Sequence, residues 1–210
     1  MAHEARNNIC KAAIRLFNEQ GYDSVSLRQI AAEAGTTIGN LTYHFAKKED
    51  LLQAILTDLH TGFSDQLETN LHGANLLEHI VKLICTNEAN HRAYPFYFEN
   101  IAQILRQSPT LCSESNLFAS KLYEYYEGAF RTLWSDGWIR QDLHRDALDA
   151  LAYSIVQMES GWVTANAPFS NDLLPSIRVS VAVCQLLSAY ISPEHLDEYR
   201  SLCQKQGILE

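Results

Sequence analysis

The 210-residue sequence lacks several features that mark whole classes of protein. No uninterrupted apolar run approaches the roughly 18 to 20 residues that a membrane-spanning helix needs. The first residues, "MAHEARNNICKAAIRLF", scatter their charges through a helical pattern instead of placing them before an apolar block, as a signal peptide does. Nine glycines and five prolines are too few for a collagen-like or low-complexity chain. We therefore expect a globular protein that stays in the cytoplasm and has no membrane partner.

The sequence also lacks the motifs of metal sites, cofactor sites and catalytic sites. Its five cysteines are odd in number, widely spaced and form no C-x-x-C, so we expect reduced, mostly buried thiols. The histidines form no H-x-x-x-H or H-E-x-x-H pattern, and no G-x-S-x-G, P-loop or dinucleotide fingerprint occurs. An enzyme using His and Asp or Glu is the alternative, but no nucleophile and base stand in a recognisable arrangement. We expect no metal, no cofactor and no enzymatic activity.

Positive charge is scarce, and its distribution matters more than its total. The net charge of −9 argues by itself against a nucleic-acid partner. Residues 1–60, however, hold six Lys/Arg and seven Asp/Glu, a net charge of −1, whereas the remainder holds 10 against 18. The acidity therefore belongs to the C-terminal part, and the N-terminal part remains compatible with DNA binding.

Apolar residues recur at helical spacing along nearly the whole chain, and no stretch alternates with a period of two, which predicts an all-α fold. The first helix has its apolar stripe at Ile9, Ala12, Ala13, Leu16 and Phe17 and stops at Gly21. A longer helix is predicted to start near Lys48, and further helices are predicted at about 75–88, 95–107, 114–135, 145–165, 173–191 and 194–205.

Between these, the sequence predicts two short helices joined by a tight glycine turn. Ser26 and Gln29 form a capping box at the start of one helix, and Gly35 ends it. Thr37 caps the next, of about seven residues, whose inward side is either Ile38 or Leu41 together with Phe45. Helix, glycine turn, helix is the arrangement of a helix-turn-helix.

Gly39 lies inside this last helix, where a glycine costs roughly 1 kcal/mol relative to alanine. Close approach of another surface would explain it, and the major groove of DNA fits this requirement. The positions left outward carry hydroxyl, amide, phenol and imidazole groups, which suit phosphates and base edges. These positions are Thr36, Thr37, Gly39, Asn40, Tyr43 and His44. Lys47 and Lys48 open the following helix, where ammonium groups and free N–H groups can hold a phosphate.

Residues from about 6 to 52 resemble the DNA-binding domain of the tetracycline-repressor (TetR) family of bacterial transcription regulators. The resemblance rests on "VSLRQIAAEAGTTIGNLTYHFAKKEDLL" and on the stripe of the first helix. It implies a helix-turn-helix domain at 1–47, a helical ligand-binding and dimerisation domain at 48–210, and a homodimer on a near-palindromic DNA operator. Two departures concern phosphate contacts: Thr42 stands where the family usually has tyrosine, and Lys47 stands where it usually has Ser or Asn.

With this resemblance, the predicted DNA-binding surface comprises two groups of residues. The outward positions already named are joined by side chains on the positioning helix and around the recognition helix. The full set is Ser26, Arg28, Thr36, Thr37, Ile38, Gly39, Asn40, Thr42, Tyr43, His44, Lys47 and Lys48.

The aromatic residues of the C-terminal part are either ordinary core or the lining of a mostly apolar pocket, which the resemblance implies. The candidate lining residues are Phe98, Ile101, Tyr126, Phe130, Met158 and Trp162. Such a pocket suits a small lipophilic or aromatic ligand better than a phosphorylated one, because internal Lys and Arg are few. The helices at 145–165 and 173–191 are either a monomer's core or half of a four-helix dimer interface.

We therefore predict a ligand-released transcriptional repressor. The alternative is a helical DNA-binding protein controlled by a protein partner or by DNA alone, without a small-molecule ligand.

Overall fold

The structure, a computed structural model, describes residues 2–67, 70–166 and 177–209, except for the side chains of residues 2, 3 and 162–166. Within these ranges the chain is helical and forms no β-sheet, which confirms the all-α prediction. The helices are α1 (Ala2–Gln20), α2 (Leu27–Glu33), α3 (Ile38–His44), α4 (Lys48–Ser64), α5 (Gly73–Ala93), α6 (Pro95–Phe98), α7 (Ile101–Gln107), α8 (Pro109–Ser135), α9 (Arg145–Asn166), α10 (Val179–Ser188) and α11 (Leu196–Lys205), with a 3₁₀ turn at Pro193–His195.

The chain divides into two compact units. Unit 1 comprises residues 1–63 and 94–115, and unit 2 comprises residues 64–93 and 116–210. The two units are defined by contacts within the chain, whereas the predicted domains at 1–47 and 48–210 are defined by their expected functions. That functional division stays a prediction.

In unit 1 the predicted stripe of α1 is buried, with Ile9, Ala13 and Phe17 fully covered. Ile30 of α2 and Leu41 of α3 join the same core. Each fully buried aliphatic side chain of this kind stabilises the fold by roughly 1.5–3 kcal/mol relative to exposure. The three helices α1, α2 and α3 therefore hold together through one shared core.

Leu41, and not Ile38, is the inward residue of α3. Leu41 has no exposed surface, whereas Ile38 is 41% exposed, and Phe45 is buried just past the helix end. The two positions differ by three residues, which is close to one helical turn, so the sequence alone allowed either. The structure places Ile38 on the outer surface beside Gly39.

One predicted helix is interrupted. The apolar pattern predicted a single helix at 95–107, but the structure has α6 and α7 with a break at Glu99 and Asn100. The Asn100 side chain donates to the Phe96 carbonyl at 3.0 Å. An asparagine that bonds backbone carbonyls in this way competes with helix geometry, which explains the break.

Unit 2 is built from α5, the later part of α8, and α9 to α11. Its core includes Leu77, Ile80, Tyr126 and Phe130, all fully buried. The predicted helix at 173–191 is described only from residue 177, and α10 covers its centre. No helix in the described ranges combines the length and the apolar character that crossing a membrane requires.

A candidate nucleic-acid interface

The helix-turn-helix is held in shape by caps at both of its helices. Ser26 Oγ accepts from the Gln29 N–H at 3.3 Å, and Gln29 Oε1 accepts from the Ser26 N–H at 2.9 Å. This is the predicted capping box, and it is confirmed. Gly35 has φ +62°, a left-handed conformation that glycine adopts without strain. The turn between α2 and α3 is therefore specified by local sequence.

The N-terminal end of α3 is a compact polar group. Thr37 Oγ1 accepts from the Asn40 N–H at 3.1 Å, as predicted for the cap. The Asn40 side-chain amide donates to Thr36 Oγ1 at 2.7 Å. This bond fixes the orientation of the Asn40 amide at the helix surface, so its polar atoms are held in place before any partner arrives.

Gly39 has no packing role within the described part of the chain. A Cβ built on it would approach only Thr37 Oγ1, at 4.0 Å, which is an ordinary distance. The glycine costs roughly 1 kcal/mol of helix stability relative to alanine, and no neighbouring side chain among the described residues requires it. Its lack of a side chain leaves the α3 backbone open to close approach from outside.

Tyr43 is the most exposed large hydrophobic side chain in the described ranges, at 82%. Its ring meets the half-buried His44 ring edge-on, with centroids 5.3 Å apart. His44 in turn lies 6.4 Å from the buried Phe45 ring. His44 thus lies between the surface and the core, and Tyr43 projects from α3.

Thr42 is exposed, but its hydroxyl is already used. Thr42 Oγ1 donates to the carbonyls of Ile38 at 3.0 Å and Gly39 at 3.2 Å. The predicted contact of Thr42 with DNA therefore involves at most its methyl group or a lone pair of the hydroxyl oxygen. Tyr43, which follows it, offers a phenol on the outer surface.

Lys48 points into the protein, which corrects the expectation that its ammonium group faces a phosphate. Its Nζ donates to the carbonyls of Tyr22, Asp23 and Val25 at 2.8, 3.3 and 3.0 Å. An ammonium group has three protons, and three acceptors use them all. Nζ also lies 4.4 Å from the centre of the Tyr22 ring. Lys48 therefore ties α4 to the α1–α2 loop.

The other cations of unit 1 differ in their availability. Arg6 pairs with Asp58 at 3.1 Å, and Arg15 pairs with Glu33. Arg28 and Lys47 are exposed, and neither side chain has an ion pair within the described ranges. Their guanidinium and ammonium groups are therefore open to an external anion, and their contact with DNA stays a prediction.

Sequence reasoning missed the cap of α4. Asp50 Oδ2 accepts from the Lys47 N–H at 3.1 Å. The acid lies three residues after the lysine, a spacing that would have predicted this bond. It compensates for the poor capping residue at Lys47 and fixes the start of α4.

The predicted ligand residues fall in both units. Phe98 and Ile101 are half-buried against the core of unit 1. Tyr126 and Phe130 are fully buried in unit 2, with their rings stacked at 5.7 Å, and Met158 is half-buried on α9. The Trp162 side chain lies outside the described residues. Their common role as a ligand pocket stays a prediction.

The N-terminal part of the chain is similar to a known family of proteins. Residues 9–55 match the model described as bacterial regulatory proteins, tetR family. The probable HTH-type transcriptional regulator YttP of Bacillus subtilis (strain 168) is 29% identical over 98 residues, 44% of this chain and 47% of that protein. The match thus spans less than half the length of this curated relative.

Two solved structures cover nearly the whole chain. A TetR-family transcriptional regulator from Marinobacter aquaeolei VT8 is 21% identical, covers 95% of this chain and 97% of its own, and has a TM-score of 0.79. SmeT, the repressor of the Stenotrophomonas maltophilia multidrug efflux pump SmeDEF, is 22% identical with 90% and 91% covered and a TM-score of 0.62. Another solved structure shows SmeT in complex with triclosan. At these identities the likeness shows the fold.

Residues 9–55 thus match the tetR-family model, and the helical fold of the chain is similar to that of a solved TetR-family regulator.

Proposed function

We propose that this protein is a transcriptional repressor that binds a near-palindromic operator as a homodimer and leaves it when a small, mostly apolar ligand binds. The observation that carries the proposal is the surface of α3. Its core side is closed by Leu41, whereas Gly39 lies exposed without a packing role in the described ranges, and the exposed Tyr43 ring meets its neighbour His44 edge-on. A surface of this kind fits the major groove, where the first residues of a recognition helix meet the bases.

Each group at this surface has a proposed task. Gly39 allows the backbone of α3 to approach the DNA, and the fixed Asn40 amide reads a base edge. The Tyr43 phenol, Arg28 and Lys47 meet phosphates on either side of the groove. Thr36 and Thr37 position Asn40 through the bonds described above.

Dimerisation is proposed through α9 and α10. Tyr153 of α9 is 58% exposed, and Ser154, Gln157 and Ser160 are exposed on the same helix. A large aromatic among small and polar groups suits a helix-on-helix interface better than a fully solvated face. Two copies joined here must present their α3 helices about 34 Å apart, one turn of DNA, to enter successive major grooves.

Release by a ligand follows from that spacing. A ligand that binds better to a dimer with another separation of the two α3 helices lowers DNA affinity, typically by 1–3 kcal/mol of coupling. The triclosan complex of SmeT supports a lipophilic compound as the ligand class. The buried Tyr126 and Phe130 rings supply apolar surface of the kind that such pockets use.

The test begins with a footprint of the purified protein on the DNA next to its own gene. Tyr43→Ala should then weaken operator binding about 10-fold or more, measured by fluorescence anisotropy, with unchanged dimerisation in sedimentation. Leu117→Ala is the control, since it also truncates a large exposed side chain, 60% exposed on α8, and should leave operator affinity unchanged. Equal affinity of wild type and Tyr43→Ala would refute the assigned surface.

The ligand part is tested separately by thermal shifts with a panel of lipophilic compounds. A compound that raises the melting temperature and releases the operator supports a ligand-controlled repressor. Operator binding that no compound in the panel affects would favour control by a protein partner or by DNA alone.

A further inference from the structure

Unit 2 contains a carboxyl group that the fold does not explain. Glu159 of α9 is 1% exposed. The Tyr126 hydroxyl donates to Glu159 Oε2 at 3.0 Å. The second oxygen, Oε1, is buried and has no hydrogen-bond partner in the structure. Half of this buried carboxyl is therefore unsatisfied.

Such a group is costly to the protein. Burial raises the pKa of Glu159 to about 8, against the lowering effect of the Tyr126 hydroxyl and of the nearby Asn87 amide. A buried polar atom without a partner typically costs 1–3 kcal/mol, and an apolar residue of similar size is often more stable in such a place. A side chain retained at this cost calls for a partner that the protein itself does not supply.

No cation of the protein supplies that partner within the described ranges. Arg178 donates to Glu88 at 3.0 and 3.1 Å, and Arg92 donates to the same carboxylate at 2.6 Å. Arg131 pairs with Asp149 at 3.1 Å. Arg178, Arg92 and Arg131 are therefore paired with carboxylates other than Glu159.

Aromatic rings surround the Tyr126 end of this carboxyl. The Tyr126 ring stacks on Phe130 with centroids 5.7 Å apart, and Tyr125 meets Tyr126 edge-on at 5.5 Å. The Tyr125 hydroxyl lies 2.7 Å from Nδ1 of His79. It therefore has its own hydrogen-bond partner and does not pair with Glu159. A carboxyl next to several aromatic rings is a combination that attracts ammonium groups, through ion pairing and through the ring faces.

We propose that Glu159 anchors a lipophilic amine in unit 2, with the ammonium group at Oε1 and the apolar body against the Tyr126 and Phe130 rings. This inference rests on the proposed function and names the chemical class of its ligand. When the amine binds, its N–H donates to Oε1 and the carboxyl gives up its proton to solvent. The bound pair is then an ammonium and a carboxylate.

The surrounding titratable groups keep one protonation state near pH 7. On α5, burial lowers the pKa of His91 to about 4, and the pKa of Glu88 lies below its usual value despite burial, because Arg178 donates to its carboxylate. On α8 and α10, burial keeps the pKa of Tyr126 raised, and a bond with Cys203 together with burial raises that of Cys184. Proton release on amine binding therefore reports on Glu159.

The experiment compares 4-phenylbutylamine with 4-phenylbutan-1-ol, which has the same apolar body and no charge. Binding to the full-length protein is measured by isothermal titration calorimetry at pH 7 in phosphate and in Tris buffer. We expect the amine to bind wild type with release of close to one proton, seen as a buffer-dependent enthalpy. Glu159→Gln should weaken amine binding at least about 30-fold and abolish the proton release.

Glu124→Gln, the same change on an exposed position of α8, is the control and should bind the amine as wild type does. Because Gln matches Glu in shape, Glu159→Gln should also fold and bind operator DNA normally. Equal binding of amine and alcohol, or amine binding that Glu159→Gln leaves unchanged, would overturn the anchor while the ligand-controlled function stands. A protein that footprints its operator and ignores the amine also overturns the anchor, whereas a missing footprint would overturn the proposed function itself.

Discussion

The buried carboxyl of Glu159 makes folding stability depend on pH in a way that a single substitution can isolate. Its pKa is raised from 4.5 to about 8 by burial, so the folded protein holds this proton more tightly than the unfolded chain does. The stabilisation is complete below pH 4.5, where both states are protonated. It is lost as the pH rises toward 8, because the unfolded chain is ionised there and the folded protein is not.

The size of the effect follows from the two pKa values. Each pH unit between them costs about 1.4 kcal/mol of stability. From pH 5 to pH 7 the loss is therefore roughly 2–3 kcal/mol, a large fraction of the ~5–15 kcal/mol that holds a domain folded. Glu159→Gln keeps the shape of the side chain and removes its titration, so the variant should not show this loss.

Other groups also change protonation between pH 5 and pH 8, and their effect on stability must be separated from that of Glu159. Burial lowers the pKa of His91 from 6.5 to about 4, so its contribution has the opposite sign. The stability that His91 contributes is present above pH 6.5 and is lost as the pH falls through 4. Between these two values the unfolded chain binds a proton at His91 and the folded protein does not. Since wild type and Glu159→Gln both contain His91, the difference between them reports on Glu159.

The assay is urea unfolding at pH 5, 6, 7 and 8, followed by tryptophan fluorescence. All three tryptophans lie beyond residue 115, at positions 134, 138 and 162, so the signal reports on the part of the chain that contains Glu159. We expect the stability of Glu159→Gln relative to wild type to rise by about 2–3 kcal/mol between pH 5 and pH 7. A difference that stays within about 0.5 kcal/mol over this range would refute the argument that burial controls this carboxyl.

Three further predictions concern the helix-turn-helix. Gly39→Ala should stabilise the protein by about 0.5–1 kcal/mol in thermal unfolding, because its Cβ meets no close neighbour, and should weaken operator binding; a variant that binds DNA normally would contradict the close approach. Lys48→Met should destabilise the fold by about 2 kcal/mol through three lost bonds, whereas Lys47→Met should leave the melting temperature unchanged and weaken DNA binding; the reverse pattern would show the two roles misassigned. Operator affinity should fall with added salt, but with a shallow slope, since few cations face the DNA; an affinity independent of salt would exclude phosphate contacts.

The helices and caps of the N-terminal domain were determined by the sequence itself. The stripe of α1, the Ser26 capping box and the Thr37 cap all rest on interactions within about one or two turns of one helix. Local geometry is enough for such features, because the partners are separated by three or four residues and meet whenever the helix forms. The exposed polar surface of α3 follows from the same periodicity once the inward residue is known.

The tertiary structure decided the features whose partners are distant in sequence. Ile38 and Leu41 were equivalent until packing buried Leu41, and Lys48 looked like a phosphate ligand until its Nζ met carbonyls 23 to 26 residues earlier. Glu159 stands in α9 as an ordinary charged residue, and only the packing of α8 brings Tyr126, 33 residues away, onto its carboxyl. Burial and desolvation depend on which helices meet, and no spacing within one helix records that.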